Sequence, residues 1–159
     1  IRRMENELEV VNIRLVKEPS LYSEQILDSP QAVVELMEKL SQYDREVFCI
    51  LNMKNNGQII NMNLVSEGTI NASLVIPREV FKSSILVNAS AIIGLHNHPS
   101  GNVKPSKEDM IVTRKLQKCG QLLGIELLDH IIVGGTNGKM LSFREEKMLN
   151  VTEKSINER

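Results

Sequence analysis

The stretch Ala89-Ser90-Ala91-Ile92-Ile93-Gly94-Leu95-His96-Asn97-His98-Pro99-Ser100-Gly101-Asn102-Val103-Lys104-Pro105-Ser106-Lys107-Glu108-Asp109 decides how this chain folds. Ala89 to Leu95 is apolar almost without interruption, which predicts a strand covered on both faces. Side chains two apart on a strand point the same way, so His96 and His98 present two imidazoles on one side of its end. Pro99, Ser100 and Gly101 shape the turn that follows, and Asn97 points away from the two rings. Ser106, preceded by Pro105 and followed by the stripe Val112, Leu116, Cys119, Leu123, reads as the N-cap of a helix to Leu123. Asp109 lies one turn before Val112 on that stripe. Its carboxylate is therefore directed inward, where an ionised group is costly unless a cation or hydrogen bonds compensate it.

Working outward, Glu46 to Met53 is apolar on both faces and predicts a central strand, Lys54-Asn55-Asn56-Gly57 a turn, and Gln58 to Val65 a return strand. Thr69 to Ile76 reads as another strand. Pro77 opens a helix with Phe81, Ser84, Ile85 and Asn88 on one stripe. After the Ser106 helix, Ile125 to Val133 predicts a strand, and Gly134 to Gly138 a turn into Lys139 to Phe143. Towards the N-terminus, Ser29-Pro30 opens a helix to Leu40, and the alternation Val11-Asn12-Ile13-Arg14-Leu15 suggests a short edge strand. The expected architecture is α/β, three helices flanking a mixed β-sheet. The expected organisation is an N-terminal extension over residues 1–29, one domain over 30–143, and a polar tail over 144–159 that frays at its end.

The 159 residues carry a formal net charge of −1, with 42% hydrophobic, 25% charged and 3% aromatic side chains. That is the composition of one globular domain, without the basic surface or stacking aromatics of a dedicated nucleic-acid binder. Cys49 and Cys119 lie in apolar and helical surroundings, as small hydrophobes rather than a disulfide framework. With no leader and no apolar run long enough to cross a bilayer, the expectation is a cytoplasmic protein without a membrane partner.

Two imidazoles and an inward carboxylate are three metal ligands that leave a fourth tetrahedral position for water, the arrangement of a catalytic zinc site. Simpler readings exist for each part. Ser-x-x-Asp before an apolar helix is itself a capping box, and His-x-His at a strand end can be a polar turn. The ligand types alone also suit non-haem Fe(II). His130 is read as a packed strand histidine outside the site. Lys104, Lys107, Arg114, Lys115 and Lys118 are read as a solvated helix face.

His96-x-His98, seven residues, Ser106, two residues, Asp109 resembles the JAMM motif of JAB/MPN-type metalloproteases without a gap. Pro77-Arg78-Glu79, the run from His96 to Gly101, Pro105-Ser106 and Leu128-Asp129-His130 resemble the bacterial RadC branch, so the likeness spans roughly residues 30–143. The resemblance implies a JAB/MPN α/β domain, similar in outline to the cytidine deaminase fold. It implies Zn2+ held by His96, His98 and Asp109, Ser106 stabilising an oxyanion, and an upstream glutamate as general base. Glu46 is the candidate base, because Asp44-Arg45-Glu46-Val47-Phe48 resembles the RadC segment entering the first central strand; Glu67, beside Gly68, is the alternative.

The implied function is a metal-binding hydrolase that cleaves peptide or isopeptide bonds in a peptide or protein substrate. The RadC likeness also brings a DNA-repair association, with direct DNA binding as its expectation. Against it stand the net charge and the about thirty residues before the domain, fewer than a separate DNA-binding domain needs. A non-catalytic binding module is the third reading. Zinc deaminases are disfavoured, since their His-x-Glu and Pro-Cys-x-x-Cys do not occur.

Overall fold

The computed structural model describes residues 8–16, 35, 36, 39, 41, 43–71, 73–134 and 138–149. In chain order these form β1 (Val47–Met53), β2 (Ile59–Glu67), α1 (Pro77–Leu86), β3 (Ala91–His98), α2 (Lys107–Leu123), β4 (Glu126–Gly134) and β5 (Met140–Ser142). The five strands make one sheet in the order β2-β1-β3-β4-β5. Only β3 and β4 run parallel, so the sheet is mixed and the architecture α/β, consistent with a JAB/MPN fold. The parallel pair requires a crossover, which α2 supplies. No helix among the described residues is long and apolar enough to cross a membrane.

β1 is buried at every residue because both its faces are covered. Phe48 and Ile50 face a core shared with Val80 and Phe81 of α1, Val112 and Leu116 of α2, and Ile92. Val47, Cys49 and Leu51 turn to the other face, against Leu36, Leu95 and Val133. Burial there pushes the Cys49 thiol up to about 12, with the Glu67 charge adding to it, so Cys49 is an inert core residue. Cys119 is also free of any disulfide.

α1 begins on Pro77, whose missing N–H costs nothing at a first helical position. Its buried stripe is Val80, Phe81, Ser83 and Ser84, while Ile85, expected on that stripe, is 53% exposed. Ser83 and Ser84 are buried because Asn52 of β1 bonds both hydroxyls, its remaining amide contact going to Asn61 of β2. α2 passes close to the start of β4. At Gly120 a Cβ would collide with the Ile125 carbonyl oxygen, whose own N–H donates to the Gly120 carbonyl at 2.8 Å, so only glycine permits this approach.

Three expectations change. Residues 69–71 and 73–76 are not a strand: Asn71 Oδ1 accepts from the Ser73 and Leu74 N–H groups and the Ser73 hydroxyl, a side-chain turn that outcompetes extension. Residues 8–16 are exposed and unpaired in any ladder, so Val11 to Leu15 has strand alternation without a strand partner. The chain after Arg144 does not leave the fold at once, because Glu146 and Met148 N–H groups return to the Ser142 and Phe143 carbonyls and Leu149 packs on the core. Of the helix expected from Pro30 to Leu40, Glu35, Leu36 and Lys39 are helical, and the rest lies outside the described residues, as does the end of the tail.

At the end of the β1–β3 pairing a side chain replaces the ladder. The buried Asn97 Oδ1 accepts the Val47 N–H at 2.7 Å, and its Nδ2 donates to the Arg45 carbonyl at 3.0 Å and the Tyr43 carbonyl at 3.4 Å. Asn97 thereby ties residues 43–47 to β3 on the face opposite the histidines. Asn97→Leu keeps the bulk but strands the Val47 N–H, so a stability loss of about 1–3 kcal/mol is expected in urea unfolding. An unchanged urea midpoint would show that the tie is dispensable.

Candidate metal centre

The same face of the sheet that packs on α2 carries His96 and His98, with ring centroids 4.7 Å apart and planes at 72°. Both lie within β3 itself, which runs on past Leu95 to His98 and so holds the two rings on strand geometry. Asp109 approaches from the first turn of α2. Its Oδ1 lies 3.4 Å from His96 Nε2 and its Oδ2 3.1 Å from His98 Nε2. Oδ2 also accepts the Ser106 N–H at 2.7 Å, while the Asp109 N–H donates to Ser106 Oγ at 3.0 Å. The capping box is therefore present, and its carboxylate also closes on both imidazoles. Ser106 is exposed, and its hydroxyl oxygen accepts from Asp109, which leaves its proton available to a ligand.

The hydrogens at this junction define what it can hold. His98 Nδ1 lies 2.7 Å from the Asn102 carbonyl oxygen, which only accepts, so Nδ1 carries the proton and neutral His98 presents a lone pair at Nε2. His96 Nε2 is buried and has no hydrogen-bond partner among the described residues. Each imidazole Nε2 thus faces its own Asp109 oxygen, at 3.4 Å for His96 and 3.1 Å for His98, and neutral His98 has no hydrogen to place in that gap. A cation relieves this. A nitrogen, nitrogen, oxygen donor set of this kind fits a divalent metal such as zinc.

Without a metal, one proton does the same work at His98. Its hydrogen bond to Asp109 raises its pKa above the ordinary 6.5 despite burial, with the Asn102 carbonyl adding to the rise. Burial pushes Asp109 up, but the bonds from His98 and Ser106 outweigh it and leave its carboxyl lowered to about 2. Burial, reinforced by neighbouring His130, holds His96 well below 6.5 and therefore neutral.

Glu46 joins this cluster from the residue before β1. Glu46, His96 and His98 each offer one ligand atom, and the three atoms lie within 4.8 Å of one another. The turn after β2 holds it there: Ile70 N–H donates to Glu46 Oε2 at 2.8 Å and Gly68 N–H to the Glu46 carbonyl at 2.7 Å. Gly68, at φ +107°, takes a backbone conformation side chains rarely adopt, which turns the chain back towards Glu46. Glu67 is instead bonded to Arg45 at 3.4 Å, on an exposed pair.

Two further residues touch the site that the sequence reading left out. His130 is packed, as expected of a strand histidine, yet its Nε2 lies 2.9 Å from His96 Nδ1. Burial lowers its pKa to about 4 and keeps it neutral. Thr113 Oγ1 lies 2.6 Å from His130 Nδ1 and donates to the Asp109 carbonyl at 2.7 Å. A signal existed for Thr113, a small polar residue four after Asp109 and thus on the same helix face. His130 required the β3–β4 register, which sets it opposite Gly94. Its predecessor Asp129 accepts from the Ser142 hydroxyl and the Arg144 N–H, anchoring β5 and the turn beyond.

Residues 27–148 match the family model described as the RadC-like JAB domain. The chain is 44% identical over 125 residues to a UPF0758 protein of Desulfitobacterium hafniense, covering 78% of this chain and 54% of that one. It is 44% identical over 128 residues to one of Staphylococcus carnosus (80% and 56% covered) and 45% over 121 residues to one of Methanosarcina mazei (76% and 52%). The chain thus spans about half the length of the curated relatives it matches. A mixed sheet with His96 and His98 at the end of its central strand, matched over most of the sequence, places the chain in the RadC-like JAB domain family.

Proposed function

We propose that this domain is a zinc-dependent hydrolase of amide bonds, acting on a peptide or isopeptide linkage. The observation that carries the reading is the convergence of His96 Nε2, His98 Nε2 and the Asp109 carboxylate, three buried acceptors with Glu46 beside them. In this reading His96, His98 and Asp109 hold the metal, as the resemblance implies. When bound, zinc supplies Lewis-acid polarisation of a carbonyl and makes water a usable nucleophile near neutral pH. Glu46, a half-buried carboxylate, takes the proton from water and returns it to the leaving amine. The bond from Ile70 fixes one of its oxygens, so the carboxylate stays oriented while it exchanges that proton. Ser106, accepting from Asp109, donates a hydrogen bond from its hydroxyl to the oxyanion that develops on the substrate carbonyl. The whole protein's substrate is a protein or peptide in this proposal.

Elemental analysis of the full chain, purified without added metal, is expected to find near-stoichiometric zinc in the wild type and none in His98→Ala or Asp109→Ala. On peptide and isopeptide substrates Glu46→Gln is expected to keep the metal and lose activity by about 10²–10⁴-fold, the usual contribution of a general base. Wild-type protein that stays metal-free after zinc is offered and the excess removed would defeat the reading.

Protons and metal compete at His98. Its folded pKa is raised, so below that pKa a proton occupies Nε2 and must leave when metal binds. His96 is neutral and Asp109 ionised throughout, with its carboxyl lowered to about 2, so neither adds to the competition near neutrality. Zinc affinity measured by chelator competition is expected to be level above the His98 pKa and to fall about tenfold per pH unit below it. A level profile through that range would place the metal elsewhere.

A further inference from the structure

Thr113, His130 and His96 form a line of contacts whose direction of hydrogen bonding is selected by the bond from Thr113 to the Asp109 carbonyl. The Asp109 carbonyl oxygen only accepts, so the Thr113 hydroxyl spends its single hydrogen there, at 2.7 Å. Thr113 Oγ1 then accepts, and the group facing it at 2.6 Å must be His130 Nδ1–H. Neutral His130 has one ring hydrogen, so its Nε2 is a lone pair. The 2.9 Å contact to His96 is consequently a bond from His96 Nδ1–H to His130 Nε2. His96 also has one hydrogen, and its Nε2 is left bare towards Asp109.

The opposite arrangement would shut the site. With the hydrogen on His96 Nε2, that N–H would be turned towards Asp109 Oδ1, 3.4 Å away, and the nitrogen would have no lone pair for a metal. That is the arrangement a buried histidine beside a carboxylate adopts when nothing opposes it, because it pairs both groups. Here His96 Nε2 has no hydrogen-bond partner among the described residues. We propose that Thr113 and His130 are positioning residues that hold His96 in the tautomer with Nε2 bare, which keeps Asp109 and His96 from bonding each other and leaves the centre open to a metal ion. The role rests on the metal-centre reading above. It begins and ends on ligands: the anchor is the main-chain carbonyl of Asp109, and the far end is the ring of His96, so the segment that supplies the carboxylate also sets the nitrogen opposite it.

The surroundings keep His130 in place for this. Its ring stacks on Phe143 with centroids 4.6 Å apart and meets Phe48 edge-on at 5.8 Å. Opposite it on β3 stands Gly94, where a Cβ would lie in ordinary contact with the His130 ring at 3.6 Å and with Phe48 at 3.4 Å, so the ring packs directly over the strand backbone. These ring contacts hold the two nitrogens against Thr113 and His96.

The test uses the full chain with 15N-labelled histidine. Metal-free wild type is expected to show His96 protonated at Nδ1 alone in long-range 1H–15N spectra. Thr113→Val, which keeps the shape and removes the hydroxyl, is expected to move His96 towards the Nε2-protonated form and to weaken zinc binding about 10–100-fold. Thr113→Ser is expected to restore both, which a packing role for the threonine methyl would not do. His130→Phe, which suits the aromatic surroundings, gives a second route if Thr113→Val fails to fold, with the same weakening expected. Wild-type His96 protonated at Nε2, or a Thr113→Val protein with unaltered tautomer and zinc affinity, would overturn the assignment. Failure of the wild type to bind zinc would instead overturn the hydrolase reading, and the metal-free spectra would still judge the tautomer.

Discussion

The buried carboxylate of Asp109 is the joint on which the structure turns. An ionised carboxylate out of water needs compensation from all sides, and this one receives it from the Ser106 N–H and from His98, with His96 close by. Each of these partners belongs to a different requirement. Ser106 is the start of α2 and His98 the end of β3. A change at Asp109 therefore reaches helix initiation, the sheet end and the electrostatics of the site together, because the carboxylate that closes the capping box also lies against both imidazoles.

The rest of the fold brings Glu46 to that joint. Asn97 and His98 are neighbours on β3 with opposite facing, and the first fastens residues 43–47 while the second faces Asp109. The turn after β2 holds Glu46 from the other side through Gly68 and Ile70. The carboxylate is thus carried by a short irregular segment, yet it is fixed to two strands. Loops bear chemistry well when a scaffold over-determines them, and this one has main-chain and side-chain ties at both ends.

Much of this was legible in the sequence, because it follows from periodicity. Two-residue spacing puts His96 and His98 together, and helical spacing turns Asp109 inward from a capped Ser106. The double-sided burial of β1 shows as an unbroken apolar run. What the pattern missed depends on single contacts or on register. Asn71 ends extension through its own side-chain oxygen, a choice that alternation around it does not reveal. Val11 to Leu15 alternates as a strand should, but a ladder needs a partner that the local sequence cannot name. His130 sits beside His96 only because parallel pairing sets Gly94 opposite it, and a strand histidine carries no mark of what lies across the ladder. The RadC-like likeness covers the fold, while the contacts of His130 with Thr113 emerge from the geometry alone.

Because the third acceptor rides on the first turn of α2, the centre is also a record of how far the chain has folded. A polypeptide that has formed β3 without docking this helix offers two imidazoles and no carboxylate, a poor competitor for metal among other cellular chelators. Once α2 initiates on Ser106 and settles against the sheet, all three groups appear at once. Bringing the three groups together and completing the helix–sheet layer then coincide, because the carboxylate reaches the imidazoles only with the helix that carries it.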